Sequence, residues 1–199
     1  MSKITRIDDS NIAGLGNLSH VSEALYGALA DREAIPLLLN ECGYLDWLAN
    51  AKHQYRRNLE EAIASGEAVQ AEHPWLFGQL ETLCVRATID DIRRELAILY
   101  MAFPAKDANL ANFMHIVFSD VVNARPSHFV LAAACRQLRH TVEVRPPIAK
   151  ILRAMKPTTD DPELRWLYHA AANLAAVPAL VATARRRLVL GDYIENRRL

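Results

Sequence analysis

Apolar residues recur at spacings of three and four along most of this sequence, and this spacing constrains the fold more than any other feature. Residues spaced in this way share one face of a helix, whereas a half-buried strand needs strict alternation, which is scarce here. Seven glycines and nine prolines interrupt the 199 residues. The pattern predicts an all-α protein, an array or bundle of about eight helices.

Several helix starts are marked by local capping residues. The segment from Thr88 to Asp91 approximates a capping box, with Asp in the usual place of Glu, and a helical apolar pattern follows it. Pro74 is suited to the first turn of a helix. Pro126 and Ser127 together predict another start, because a serine hydroxyl accepts hydrogen bonds from free backbone amides.

Two predictions concern how helices end. Residues 45–64 read as one long helix, with Trp47 and Tyr55 on its buried side and Gly66 suited to a left-handed cap at its end. Pro178 lies within the last long apolar segment and is expected to kink or break that helix, because proline lacks the backbone N–H.

Composition predicts a globular chain inside the cell. Hydrophobic residues make up 51% of the chain, enough for a substantial core. The three cysteines, Cys42, Cys84 and Cys135, form no CxxC pair and read as reduced, buried thiols of a cytoplasmic protein. Residues 1–9 lack the apolar stretch of a signal peptide, and residues 170–184 fall short of a membrane span, so no membrane association is expected.

Charge is balanced overall but unevenly distributed. The chain has 23 basic and 23 acidic residues, yet residues 1–72 hold six basic against eleven acidic side chains. Residues 125–156 hold seven basic side chains and only Glu143 as an acid. We therefore expect a flexible lead-in over residues 1–17, an acidic helical bundle over 18–102, and a basic helical half over 103–199 that packs as one globular unit.

Residues 125–156 form a basic tract that contains the candidate binding residues. Arg136, Arg139 and His140 fall at helical spacing and can share one face, while Lys150 and Arg153 do the same on the next helix. A shared cationic face would suit nucleic-acid phosphates. The candidate residues for nucleic acid or a partner are Arg136, Arg139, His140, Arg145, Lys150 and Arg153. The alternative is that these residues lie on solvated helix faces and that the acidic N-terminal half balances their charge.

Motifs for catalysis, metals and cofactors are missing from the sequence. It contains no GxxxxGK[ST] or GxGxxG loop, and its seven histidines form no HxxxH or HExxH. The pairs Asp90–Asp91 and Asp160–Asp161 lie at predicted helix starts, where carboxylates stabilise the helix dipole. We expect no enzyme, no metal and no cofactor, although a site assembled from distant residues stays open.

Three segments resemble small helical proteins of phage and prophage replication regions, among them helicase-loader-like proteins. These segments are RRELAILYMAF, RPSHFVLAAACRQLRHT and VRPPIAKILRAMK, within residues 89–156, about a third of the chain. The resemblance implies a non-enzymatic accessory or adaptor protein that attaches to a replicative helicase, another replication protein or replication-region DNA. Its implied contact residues are Arg136, Arg139, Arg145, Lys150 and Arg153.

A second hypothesis is a helical protein–protein interaction module with no nucleic-acid role. Residues 160–190 carry an apolar stripe that includes Trp166, Leu167, Leu174 and Leu180. Such a stripe serves either as one element of a single core or as the seam of a homodimer. The sequence leaves these two uses open.

Overall fold

A computed structural model describes residues 18–103 and 110–194, so the lead-in expected over residues 1–17 lies outside the described part. Within these ranges the chain forms nine α-helices and no β-strand, which confirms the all-α prediction. The helices are α1 (Leu18–Leu29), α2 (Ala34–Asn50), α3 (Arg56–Glu72), α4 (Pro74–Leu83), α5 (Ile89–Met101), α6 (Leu110–Ala124), α7 (His128–Thr141), α8 (Ile148–Ala154) and α9 (Pro162–Leu190).

Backbone contacts divide the chain into two compact units. Of the described residues, unit 1 holds those up to Tyr26 and those within Val85–Trp166, and unit 2 holds Gly27–Cys84 and those from Leu167 to Ile194. This division differs from the expected boundary between residues 102 and 103. The reason is that α5, which precedes that boundary, packs against α6 and α7, which follow it.

In unit 1, α5 and α7 pack against each other and α8 packs on α6 and α7. The predicted capping box is confirmed: Thr88 Oγ1 accepts from the Asp91 amide at 3.2 Å, and Asp91 Oδ2 accepts from the Thr88 amide at 3.1 Å. Ser127 Oγ accepts from the Val130 amide at 3.3 Å, as predicted for the start of α7. Local sequence therefore determines where both of these helices begin.

In unit 2, the prediction of one helix over residues 45–64 is wrong. The chain leaves α2 after Asn50 and starts α3 at Arg56, and His53 between them has a φ of 59°, in the left-handed region. Gln54 donates from its side chain to the backbone oxygen of Trp47 at 2.8 Å, and the same oxygen also accepts the Ala51 amide at the end of α2. Trp47, predicted to be buried, is exposed.

Tyr55 and Gly66 also differ from the prediction. Tyr55 is exposed rather than buried. Gly66 lies inside α3 rather than at its end. A Cβ on Gly66 would overlap Cγ2 of Val181, so the glycine allows α3 and α9 to approach closely within unit 2.

Helix α9 is continuous through Pro178, so the predicted break is wrong. Leu174, Val177 and Val181 on its inner side are buried. Their packing keeps the helix intact at Pro178, where one backbone hydrogen bond is missing because proline has no N–H. By length and composition alone α9 is apolar enough to cross a membrane, with a hydropathy of 1.3 over its most apolar window. In the structure 44% of that window is buried, and a core helix satisfies the same criterion.

Candidate functional site

The six predicted binding residues do not share one surface. Arg136 points from α7 toward α1, where it pairs with Glu23 at 3.2 Å and lies 4.4 Å above the ring of Tyr26. Arg139 lines the same small cavity as Arg136. These two arginines are therefore used inside unit 1 and do not form the cationic face that helical spacing predicted.

Arg139 lies near a buried carboxyl group. Its Nη1 atom is buried and has no hydrogen-bond partner. Glu95 on α5 is also buried, and burial raises its pKa despite the opposing effect of Arg139 and Arg94. Buried charges of opposite sign compensate each other's loss of hydration. Arg139 thus has an internal partner charge in the core of unit 1.

The next two candidates contribute little to a common surface. His140 is exposed at the end of α7, where a cation is favoured by the helix dipole. Arg145 is half-buried, with its guanidinium 5.6 Å from the ring centre of Phe113. Neither residue lines the grooves beside α8.

Helix α8 presents the remaining cations to solvent. Lys150 and Arg153 are exposed on this helix, and Lys156 is exposed in the turn that follows it. We call these three residues the α8 surface. Lys156 was not among the predicted site residues because it lies beyond the helix, although its spacing of three from Arg153 was a usable signal.

Two grooves flank Arg153. One, of about 390 Å³, contains Lys150 and lies between α8, the end of α7 and the start of α9. The other, of about 650 Å³, contains Lys156 and Thr158. The α8 surface therefore places one cation on each side of a central arginine.

The acidic residues near the α8 surface neutralise it only in part. Asp160 Oδ2 lies 3.4 Å from Arg153, but both side chains are mostly exposed, at 83% and 70%, and such pairs are weak. Asp161 is committed elsewhere, because its Oδ1 accepts from the amides of Glu163 and Leu164 at 2.9 and 3.1 Å. Its Oδ2 accepts from Gln137 at 2.9 Å. Both carboxylates line the groove that contains Lys150, and an anion bound there would replace the solvated Asp160 as the partner of Arg153.

Unit 2 also has a pocket with basic lining residues. Its volume is about 440 Å³, and Lys52, His53 and Arg186 are among the residues that line it. It lies where α2 and α9 end. Arg187 there donates from Nη1 to the backbone oxygens of Ala49 and Ala51 at 2.7 and 3.1 Å. Cations at helix C-termini stabilise the helix dipole, so this pocket has a structural explanation.

In the ranges 18–103 and 110–194, no group of three or more His, Cys, Asp or Glu is arranged to hold a metal ion. His128 Nδ1 lies 3.3 Å from Asp91 Oδ2, but that carboxylate already belongs to the capping box of α5. The pair is therefore explained by the start of the helix.

No protein-family model, curated protein or solved structure matches this chain. The candidate site consequently rests on the geometry and charge of the α8 surface.

Proposed function

We propose that this protein is a non-enzymatic accessory protein of the kind found in phage and prophage replication regions, and that it binds DNA phosphates through the α8 surface. In this role it is an adaptor that acts in the cytoplasm and brings DNA to a replicative helicase or another replication protein. The supporting observation is that Lys150, Arg153 and Lys156 are all exposed along one short segment, and that the ion pair of Arg153 with Asp160 is solvated.

The chemistry of the α8 surface suits a phosphate backbone. An arginine binds phosphate oxygens with a planar pair of donors, and lysines add point charges on either side. The residues from Lys150 to Lys156 span roughly 9 Å at helical rise, and phosphates of one DNA strand recur about every 3.4 Å along the axis. Three cations over that length can therefore meet neighbouring phosphates of one strand.

The test is a charge reversal with a matched control. Lys150→Glu with Arg153→Glu is expected to weaken binding to a fluorescent DNA duplex at low salt by about tenfold or more, measured by anisotropy. Arg86→Glu with Arg93→Glu changes the net charge equally at exposed cations of unit 1 outside both grooves. That control is expected to stay within about threefold of the native protein.

Equal losses in the two double variants would mean that net charge, not the α8 surface, drives binding. A native protein that binds no DNA at low salt would also overturn the proposal. In that case a purified replicative helicase is tested. If it binds the native protein and not the α8 variant, the α8 surface binds an acidic surface of that protein rather than DNA.

The second candidate is a helical interaction module with no nucleic-acid role. Exposed aromatic side chains on α2 favour it, because such residues are enriched in protein interfaces. The homodimer through residues 160–190 has less support, since Leu167 and Leu174 of its proposed seam are buried within the chain itself. A monomeric mass in light scattering at tens of micromolar would remove the dimer version.

A further inference from the structure

Helix α2 exposes a stripe of large apolar side chains. Leu37, Tyr44 and Trp47 have exposed fractions of 67%, 49% and 54%. We call these three residues the α2 stripe. Leu38, Cys42 and Leu45 are buried on the other side of the same helix, so the core of unit 2 is complete without the stripe. Exposed apolar residues grouped on one helix face are typical of an interaction site.

The aromatic part of the stripe is held in place without a partner. The rings of Tyr44 and Trp47 are stacked, with centroids 6.0 Å apart and an interplanar angle of 17°. The Tyr44 hydroxyl donates to Glu61 Oε1 on α3 at 2.9 Å. Because both rings are already ordered, little side-chain entropy remains to be lost when a partner binds. Tyrosine and tryptophan are also the residues that most often dominate binding energy.

Gly43 provides space beside the stripe. It is exposed one turn before Trp47, and no atom lies within 4 Å of the position that a Cβ would take. A partner side chain can therefore approach the α2 backbone next to the indole ring. This glycine otherwise lowers the stability of α2, since glycine in a helix interior is unfavourable.

Charge indicates what kind of partner fits. Glu41 and Asp46 are the only charged residues of α2, and both are acidic and exposed. Glu61 adds a third carboxylate next to Tyr44, while Arg57 is the cation that acts on this tyrosine. By helical spacing Asp46 faces away from Leu37, so the charged groups near the stripe are the carboxylates of Glu41 and Glu61 and the guanidinium of Arg57.

We propose that the α2 stripe is the docking site for a cationic amphipathic helix of a partner protein. The apolar face of that helix packs on Leu37 and Trp47, and its lysines or arginines meet Glu41 and Glu61. The apolar anchors would supply affinity in this arrangement, and the charges beside them would supply specificity. The proposal is independent of the α8 surface, which carries the opposite charge.

The probe is a fluorescent synthetic peptide of leucine and lysine in helical pattern, titrated with the full chain and followed by anisotropy. Leu37→Ala with Trp47→Ala is expected to weaken binding by tenfold or more. Trp75→Ala is the matched control, since Trp75 is an equally exposed tryptophan of unit 2, at 50%. It is expected to change the affinity by less than about twofold.

Two further variants separate docking from loss of folding. Gly43→Lys adds bulk and positive charge beside Trp47 while it improves helix propensity, so binding should fall at unchanged or higher stability. A peptide with glutamate in place of lysine should bind at least tenfold more weakly. Equal binding of both peptides, or equal losses with Trp75→Ala, would overturn the proposal. So would self-association that Leu37→Ala and Trp47→Ala abolish, since the occupant would then be a second copy.

Discussion

The hydroxyl of Tyr26 donates a 2.6 Å hydrogen bond to Oε1 of Glu163, which lies 137 positions later in the sequence. Burial, followed by the neighbouring Glu163, holds the pKa of Tyr26 well above its usual value, so the phenol stays a neutral donor. Arg136 covers the ring of Tyr26 and pairs with Glu23. Arg136, which the sequence pattern placed on a partner-binding surface, thus holds α1 in place within unit 1.

The Tyr26 hydrogen bond predicts a measurable loss of stability. Tyr26→Phe should lower the free energy of unfolding by about 1 kcal/mol, because it removes one partly buried hydrogen bond to a carboxylate and leaves the ring in place. Urea denaturation checks this value. Tyr44→Phe is the control, since its bond to Glu61 is exposed and should be worth less. Equal losses in the two variants would contradict the role given to Tyr26.

The close contact at Gly66 predicts that replacing glycine with alanine has opposite effects on stability at Gly66 and at Gly78. Gly66→Ala should destabilise the protein by about 1–3 kcal/mol, because the new methyl group overlaps Val181. Adding Val181→Ala should restore part of the loss, measured by thermal and urea denaturation. Gly78→Ala, in an exposed position of α4 with open space around it, should instead stabilise by about 0.5–1 kcal/mol. A neutral Gly66→Ala would refute the close approach of α3 and α9.

The capping box predicts how stability depends on pH. Burial raises the pKa of Asp91, but hydrogen bonds from Thr88 and the nearby His128 and Arg94 outweigh it, so the folded pKa lies below the ordinary 3.8. Its contribution is therefore fully present above that value and is lost as pH falls through the folded pKa.

Asp91→Asn should consequently cost about 1 kcal/mol at pH 7, and the difference from the native protein should shrink below about pH 4. Urea denaturation at a series of pH values measures this. Asp160→Asn, at an exposed carboxylate, should show a small difference at every pH. A constant loss for Asp91→Asn from pH 7 to pH 3 would show that the charge of Asp91 is not involved.

The cysteines predict slow reaction with thiol reagents. Burial raises the pKa of Cys42 and of Cys84 to about 11, and burial also holds the pKa of Cys135 above its usual value. At pH 8 about one thiol in a thousand is then ionised at Cys42 or Cys84. Reaction with a chromogenic disulfide should be slow in the native protein and rapid in urea. Rapid reaction of all three thiols without denaturant would contradict the buried positions of Cys42 and Cys135 and the half-buried position of Cys84.

Helix identity and helix starts were predictable from sequence because both depend on local chemistry. Apolar spacing and the capping residues Thr88 and Ser127 act within a few positions of themselves. The break between α2 and α3 was not predictable, since no glycine or proline marks residues 51–55. Arg187, far along the chain, donates to the carbonyls of Ala49 and Ala51 at the break, and Gln54 adds a second donor to the carbonyl of Trp47.

The candidate α8 surface was only partly predictable for a related reason. Counting charges along a segment shows how basic it is, but not which side of each helix faces the core. Arg136 and Arg139 are drawn inward by Glu23 and Glu95, which are distant in sequence. Lys150 and Arg153 meet no such partner in the described part of the chain apart from the solvated Asp160.

The most direct test of DNA binding through the α8 surface is the dependence of duplex affinity on salt concentration. The native protein is compared with a variant that carries Lys150→Ala, Arg153→Ala and Lys156→Ala. If three phosphates are contacted, the logarithm of the native binding constant should fall against the logarithm of salt concentration with a slope of about −2 to −3. The variant should bind more weakly with a slope nearer zero. An unchanged slope and affinity in the triple variant would contradict DNA binding through α8.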